Sequence, residues 1–259
     1  MGARLDQHFL TDPAAADNIV LAAGVRPGMS VVEIGPGRGV LTERLLAAGA
    51  AVTAVEIDHR LANSLPGRLR DANLSMVCAD FLRLDPASLP SPCVVVSNLP
   101  YAVGTPIMLK LLGWPAWETA VLMFQKEVAE RLGAEPGGRD YGTLTLAVGL
   151  KADVEYLMTV PREAFRPVPK VDSAVVRMRR LARPRLPEGL GEDEFTRLVR
   201  AAFSQRRKMA AKLVAGSLGL ARGRVDAAFA ACGIAAGARA ETISLERFAA
   251  LALALRDAP

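Results

Sequence analysis

VVEIGPGRGVL, residues 31–41, joins a short apolar run to three glycines at alternate positions and then to the start of a helical pattern. Such a segment reads as strand, tight turn and helix, the unit that opens a nucleotide-type site in an α/β protein. Glycines at 35, 37 and 39 let backbone approach a ligand closely, and the helix start offers free N–H groups. In the dinucleotide fingerprint the third glycine falls one residue later, where this chain has Val40. Glu56 ends the next apolar run, 21 residues after Gly35, where a carboxylate can hold two ribose hydroxyls. Asp80 ends the run after that. Each has a plainer reading: Asp80 as the cap of a Phe81–Leu84 turn, Glu56 as the partner of a surface arginine. Together they place three consecutive strand ends at one crevice, where open α/β sheets bind ligands. The ligand expected there is a nucleoside-type cofactor. Without the pyrophosphate glycine spacing, S-adenosylmethionine is favoured over NAD.

Outward from this segment, β-branched runs alternate with helical stretches. Strands are expected at 31–34, 52–57, 74–78, 93–97 and 119–124, and helices at 40–48, 59–70, 106–112 and from about 125. Apolar strands without polar alternation, separated by helices, predict a mostly parallel sheet buried on both faces. Two late strands, 154–159 and 173–179, read as a partly antiparallel pair at one edge. The Pro/Gly-rich stretch 183–191 then breaks the pattern, and beyond it only helices are credible. Phe195, Leu198, Val199, Ala202 and Phe203 share one helical face, Gly233 fits a helix end, and Ser244 fits an N-cap. The expected organisation is a catalytic α/β domain over 1–183 and a small helical domain over 184–259.

Composition narrows the class. The chain has 259 residues, 51% of them hydrophobic, enough for a large core and a smaller companion. Its most apolar stretch, 248–255, is far shorter than the roughly 20 residues needed to span a bilayer. The first ten residues lack the apolar core of a signal peptide. Cys78, Cys93 and Cys232 stand far apart, a spacing that builds neither a disulfide framework nor a metal knuckle. A cytoplasmic protein without membrane attachment or metal is expected. Charge is divided unevenly: residues 1–176 carry 16 Lys/Arg against 19 Asp/Glu, and residues 177–259 carry 16 against 8. That excess points the C-terminal part at a polyanion, although a solvated Lys/Arg surface gives the same count.

At the fourth expected strand end stands SNLPYAVGTP, residues 97–106. A strand leaving a core normally meets Gly, Asp or Asn and a polar loop. Here Asn98, Leu99, Pro100 and Tyr101 fix an amide, a rigid turn and a phenol ring beside the crevice. An exocyclic amine is a poor nucleophile because its lone pair is delocalised into the ring. The Asn98 amide oxygen and a carbonyl freed by the proline turn can each accept one N–H, which aims the lone pair at a sulfonium methyl. Tyr101 can stack on the base. No general base is needed before attack, because the aminium formed afterwards loses its proton readily.

At these residues the chain resembles the ribosomal RNA adenine N6-dimethyltransferase family, and within it the bacterial small-subunit branch. The likeness runs over nearly the whole length, through Gln7–Leu10, Glu33–Gly37, Glu56–Asp58, Asp80, Asn98–Tyr101, Gln125–Ala129, Tyr141–Gly142, Phe165–Val171 and Phe203–Lys208. It implies a Rossmann-like S-adenosylmethionine-dependent methyltransferase fold, a mostly parallel sheet with an antiparallel edge, and a small C-terminal all-helical domain. The family positions fall on His8, Leu10, Gly35, Gly37, Glu56, Asp80 and Asn98 for the cofactor, with Asp80 reading its adenine. Catalytic positions fall on Asn98, Leu99, Pro100 and Tyr101, with Phe165 flanking the target base opposite Tyr101; the plainer reading of Phe165 is a core anchor. Arg206, Arg207, Lys208 and Lys212, read as the start of a helix, would contact RNA phosphates without reading sequence. Asp6 stands where the family usually carries glycine after a longer basic leader, and Met209-Ala210 where Thr-Leu is commoner.

The implied reaction is dimethylation of two adjacent adenines in 16S rRNA, within an immature small ribosomal subunit, by a monomeric enzyme. Two rivals share the fold. One is the large-subunit methyltransferase of antibiotic resistance, which more often reads Asn-Ile-Pro-Tyr, so Leu99 favours the small subunit. The other is a non-catalytic ribosome-assembly or transcription factor, against which the intact Asn98, Pro100 and Tyr101 argue. A NAD oxidoreductase is remote because of Val40.

Overall fold

A computed structural model describes residues 7–257. Asp6 and the leader before it lie outside them. The chain divides into two compact units, residues 1–129 with 153–180, and residues 130–152 with 181–259.

The first unit opens with β1 (Phe9–Leu10) and α1 (Pro13–Ala23), whose N-cap Asp12 accepts from the Ala14 and Ala15 N–H groups. Then come β2 (Ser30–Ile34), α2 (Val40–Ala47), β3 (Ala51–Glu56), α3 (His59–Leu69), β4 (Leu74–Cys78), β5 (Cys93–Asn98), α4 (Gly104–Gly113) and β6 (Trp117–Gln125). After α5 (Lys126–Leu132) and α6 (Thr143–Gly149), the chain forms β7 (Ala152–Val160), β8 (Phe165–Arg166) and β9 (Ser173–Arg180). The seven-stranded sheet has the order β4-β3-β2-β5-β6-β9-β7. β2 through β6 pair in parallel, and β9 runs antiparallel to β6. The expected antiparallel edge is thus built by β9 and β7, with β9 inside.

Burial on both faces explains the sequence pattern. Val31, Val32, Val94, Val95 and Val96 in the central strands are buried, so no polar alternation is tolerated there. Strand order reverses between β2 and β5, and their ladder ends at Glu33↔Val96. Just beyond, the Ser97 hydroxyl donates to the Ile34 carbonyl, which the parting strands leave without a ladder partner. A crevice opens at this point.

The second unit holds α6 together with α7 (Glu192–Ala202), α8 (Ala210–Leu218), α9 (Arg222–Ala231) and α10 (Leu245–Asp257). Its division from the first differs from a single cut after residue 183. Residues 130–152 belong with the helices because Tyr141, Leu146 and Leu150 are buried in the same core as Phe195, Phe229 and Phe248, with the Tyr141 hydroxyl donating to the Ile243 carbonyl at 3.0 Å. No described helix is long and apolar enough to cross a membrane.

Candidate active site

The cleft beside the strand reversal is lined from the ends of β2, β3, β4 and β5 and from the segment leading into β1. Gly35, Gly37, Glu56, Asp80, Asn98, Leu99, Pro100, Tyr101, His8 and Leu10 all line it. Residues distant in sequence meet there because parallel strands end on one side of a sheet.

The glycine turn serves two surfaces. Gly37, at φ +55°, lies so near Phe9 that a Cβ would meet the ring at 3.1 Å. Its N–H donates to Glu56 Oε2 at 3.1 Å, while Glu56 Oε1 accepts from the Asp58 N–H at 3.0 Å. Gly39 does not line the cleft; at φ +74° it makes room for α3, where a Cβ would run into Leu65 Cδ1. The third glycine is therefore a packing requirement between α2 and α3.

Glu56 is 3% exposed and keeps free lone pairs on both oxygens for ligand hydroxyls. Asp80 does two jobs. Its Oδ1 accepts from the Leu82 N–H at 2.8 Å, capping the following turn, and it also lines the cleft. Lys110 of α4 steadies that turn by donating to the Leu82 and Leu84 carbonyls.

At the end of β5, Asn98 Nδ2 donates to the His8 carbonyl at 3.3 Å. That bond sets which way the amide faces, because only its NH2 side can meet a carbonyl, and it leaves Oδ1 to accept from a ligand. The Pro100 carbonyl accepts from the Val103 N–H at 3.1 Å, so the Leu99 carbonyl is the acceptor the turn frees. Tyr101 is anchored through its hydroxyl to Ser173 Oγ at 2.7 Å, and its ring lies 5.5 Å from the His8 ring. Burial pushes the phenol above its ordinary pKa, so it stays a neutral ring at physiological pH. His8 is held in turn, with Nδ1 2.8 Å from the Pro167 carbonyl. The segment 8–10 thus lies along the cleft as a strap, tied by the β1–β8 pairing of Phe9 with Arg166 and Leu10 with Phe165.

Two expectations need correction. Phe165 does not flank the cleft: it is 0% exposed and packs in the core with Leu10, Ala164 and Val175. Strand alternation turns it inward and its neighbour Arg166 outward, so it anchors the strap from beneath. Arg206, Arg207 and Lys208 do not begin a helix; they form an exposed turn between α7 and α8, and Lys212 sits on the first turn of α8. The sequence reading also passed over Glu33, Phe9 and Ser173 as site residues. For Glu33 a signal existed, a charge inside the apolar run Val31–Ile34 of a sheet buried on both faces. For Phe9 and Ser173 there was none, since their roles depend on contacts across the fold.

The cleft's chemistry fits S-adenosylmethionine better than a dinucleotide. Three carboxyl groups line it, Glu33, Glu56 and Asp80, with Arg38 as the lysine- or arginine-type cation. The Arg38 guanidinium lies over the Phe9 ring at 4.6 Å. Moreover, the Gly37 N–H that would hold a pyrophosphate already donates to Glu56. A cationic sulfonium is favoured here and a dianionic pyrophosphate is repelled.

Known proteins bear on this geometry. A family model described as ribosomal RNA adenine dimethylase matches residues 2–257. The ribosomal RNA small subunit methyltransferase A of Paracoccus denitrificans is 44% identical over 99% of this chain and 92% of its own length. Its namesake from Thermobifida fusca is 42% identical over 96% and 88%. Among solved structures, the 23S rRNA methyltransferase ErmE is 35% identical with a TM-score of 0.77, covering 96% of this chain and 100% of that one. A dimethyladenosine transferase from Plasmodium falciparum is 28% identical with a TM-score of 0.78, covering 94% and 96%. A cleft suited to a cationic cofactor, an amide held ready at its mouth and a family match from end to end agree: the chain belongs to the ribosomal RNA adenine dimethylase family.

Proposed function

We propose that the protein uses S-adenosylmethionine to dimethylate the N6 amines of two adjacent adenines in 16S rRNA, within an immature small ribosomal subunit. The observation that carries this reading is the orientation of Asn98, whose Nδ2 is committed to the His8 carbonyl. Glu56 and Asp80 would hold the nucleoside part of the cofactor, beside Gly35, Gly37, His8 and Leu10. When bound, S-adenosylmethionine supplies an activated methyl group. What the chain supplies is position. Asn98 Oδ1 and the Leu99 carbonyl accept the two N–H groups of an adenine amine, drawing its nitrogen toward tetrahedral geometry. Tyr101, fixed by Ser173, supports one face of the base, which must leave its stack to reach the cleft. The enzyme is proposed to act as a cytoplasmic monomer.

The small-subunit target is supported by the names of the 44% and 42% identical relatives and by Leu99. The likeness to ErmE keeps the large subunit as the second reading. To separate them, purified protein and isotopically labelled cofactor would be incubated with immature small subunits and with large subunits, and the rRNA digested for mass spectrometry. Dimethyladenosine at two adjacent positions of 16S rRNA is expected. Label confined to 23S rRNA would select the second reading, and no label in either RNA would leave a non-catalytic factor.

The helical unit is proposed to grip RNA through Arg206, Arg207, Lys208 and Lys212, all exposed. Neutralising the first three should lower the slope of log K against log salt by about 2, at about 0.7 per phosphate contact on single strands. Fluorescence anisotropy across a salt series measures it. Matched and mismatched RNAs should weaken alike, since phosphate contacts carry no sequence information, and cofactor binding should be unchanged. An unaltered slope would shift the RNA surface to the rim around Arg162 and Arg166.

A further inference from the structure

Glu33 is the one carboxylate of the cleft to which the proposed mechanism gives no task. It pairs with Ala54 of β3 and ends the β2–β5 ladder opposite Val96, is 1% exposed, and lines the cleft. Its Oε2 is buried without a hydrogen-bond partner among the described residues. Burial, helped by the nearby Glu56 charge, pushes the carboxyl up to about 8, while Thr42 of α2 works against the rise. The other ionisable groups lining the cleft are Asp80 from the end of β4, Arg38 from the glycine turn, His8 from the strap and the Tyr101 phenol beyond β5. Arg38, the positive group among them, sits over the Phe9 ring. Near neutral pH, then, Glu33 is a neutral acid before the cofactor binds.

We infer that Glu33 is a proton-linked specificity residue: arrival of the cationic cofactor expels its proton, and the carboxylate then favours the sulfonium cofactor over the neutral thioether product. The physical cause is that a positive charge brought into a cleft poor in water acts strongly on a buried carboxyl nearby. After methyl transfer the sulfonium charge is gone, Glu33 takes a proton back from solvent, and the product is held less well. Each dimethylation needs product exchanged for fresh cofactor, so this difference speeds the exchange. The inference rests on S-adenosylmethionine as the cofactor, and its test separates the two claims.

The sign follows from the pKa. Below about 8 the free site carries the proton and the occupied site does not, so affinity for S-adenosylmethionine rises with pH; above 8 the rise stops. Titration calorimetry of the full-length protein, repeated in buffers of different ionisation enthalpy, counts the protons released. The cofactor's own amine titrates in the same range, but S-adenosylhomocysteine carries the same amine and Glu33→Gln leaves it in place. The wild type should release about 0.9 proton more than Glu33→Gln at pH 7, the protonated share of a group titrating near 8. Glu33→Gln should also narrow the preference for S-adenosylmethionine over S-adenosylhomocysteine by on the order of tenfold. Should the variant not fold, infrared difference spectra of the wild type decide: the protonated-carboxyl band should fall on adding S-adenosylmethionine and fall less with S-adenosylhomocysteine. Equal proton release from wild type and variant, or a carboxyl band unmoved by the cofactor, would overturn the inference while leaving the cofactor assignment intact. No binding heat with S-adenosylmethionine in the wild type would overturn both.

Discussion

Asn98→Ala should reduce methyl transfer about 100–1,000-fold at saturating RNA, on the scale of losing one preorganised group that stabilises a transition state. The variant removes the Oδ1 acceptor and, with it, the Nδ2 bond to the His8 carbonyl. The second loss loosens the strap by one ordinary hydrogen bond, about 0.5–1.5 kcal/mol, so cofactor affinity should fall no more than about tenfold. Asn98→Asp separates the two roles. It keeps an acceptor for the amine but sets a carboxylate oxygen against the His8 carbonyl, and turnover should still drop. Single-turnover kinetics alongside calorimetry distinguishes these effects. Turnover close to wild type for Asn98→Ala would remove the amide from amine activation.

The largest loss of cofactor binding should come from Glu56→Ala, about 1.5–3 kcal/mol, the range for hydrogen bonds to a charged group. Calorimetry at fixed pH measures it directly. The structure adds a reason beyond lost ligand contacts. Glu56 also accepts the Gly37 and Asp58 N–H groups, so truncation leaves two donors of the glycine turn and the α3 entry without their acceptor. Glu56→Gln should rescue only part of the loss, because an amide cannot accept on both sides. It meets one of those N–H groups with its own NH2. Wild-type affinity in Glu56→Ala would place the ribose contacts elsewhere.

Local rules explain why much of this was readable in advance. The valine runs of β2 and β5 had to be central parallel strands, because only a sheet covered on both faces tolerates them. The strand-to-helix turn at Gly35–Gly39, Glu56 and Asp80 at the next two strand ends, and Asn98–Tyr101 at the fourth follow chain order directly. Arg206–Lys208 were misjudged by one element, since a run of basic residues reads the same in a turn as on the first turn of a helix.

Phe165 shows where that reading stops. Its flanking prolines mark a stiff loop, but whether an aromatic there faces a base or the core depends on its partner strand. That partner is Leu10, at the other end of the first unit's sequence, and the pairing turns Phe165 inward. The same long-range contact lays His8 against Asn98, and the fold separately brings Ser173 to Tyr101, which decides how the amide and the ring are aimed. Glu33 titrates near 8 only because β3, β5 and α2 close around it. Chain order and residue type therefore determined the sheet, its glycine turn and the polar side chains at the β3, β4 and β5 ends. Their orientation and ionisation were decided by tertiary structure alone, because hydrogen-bond partners and desolvation are supplied by residues distant in sequence.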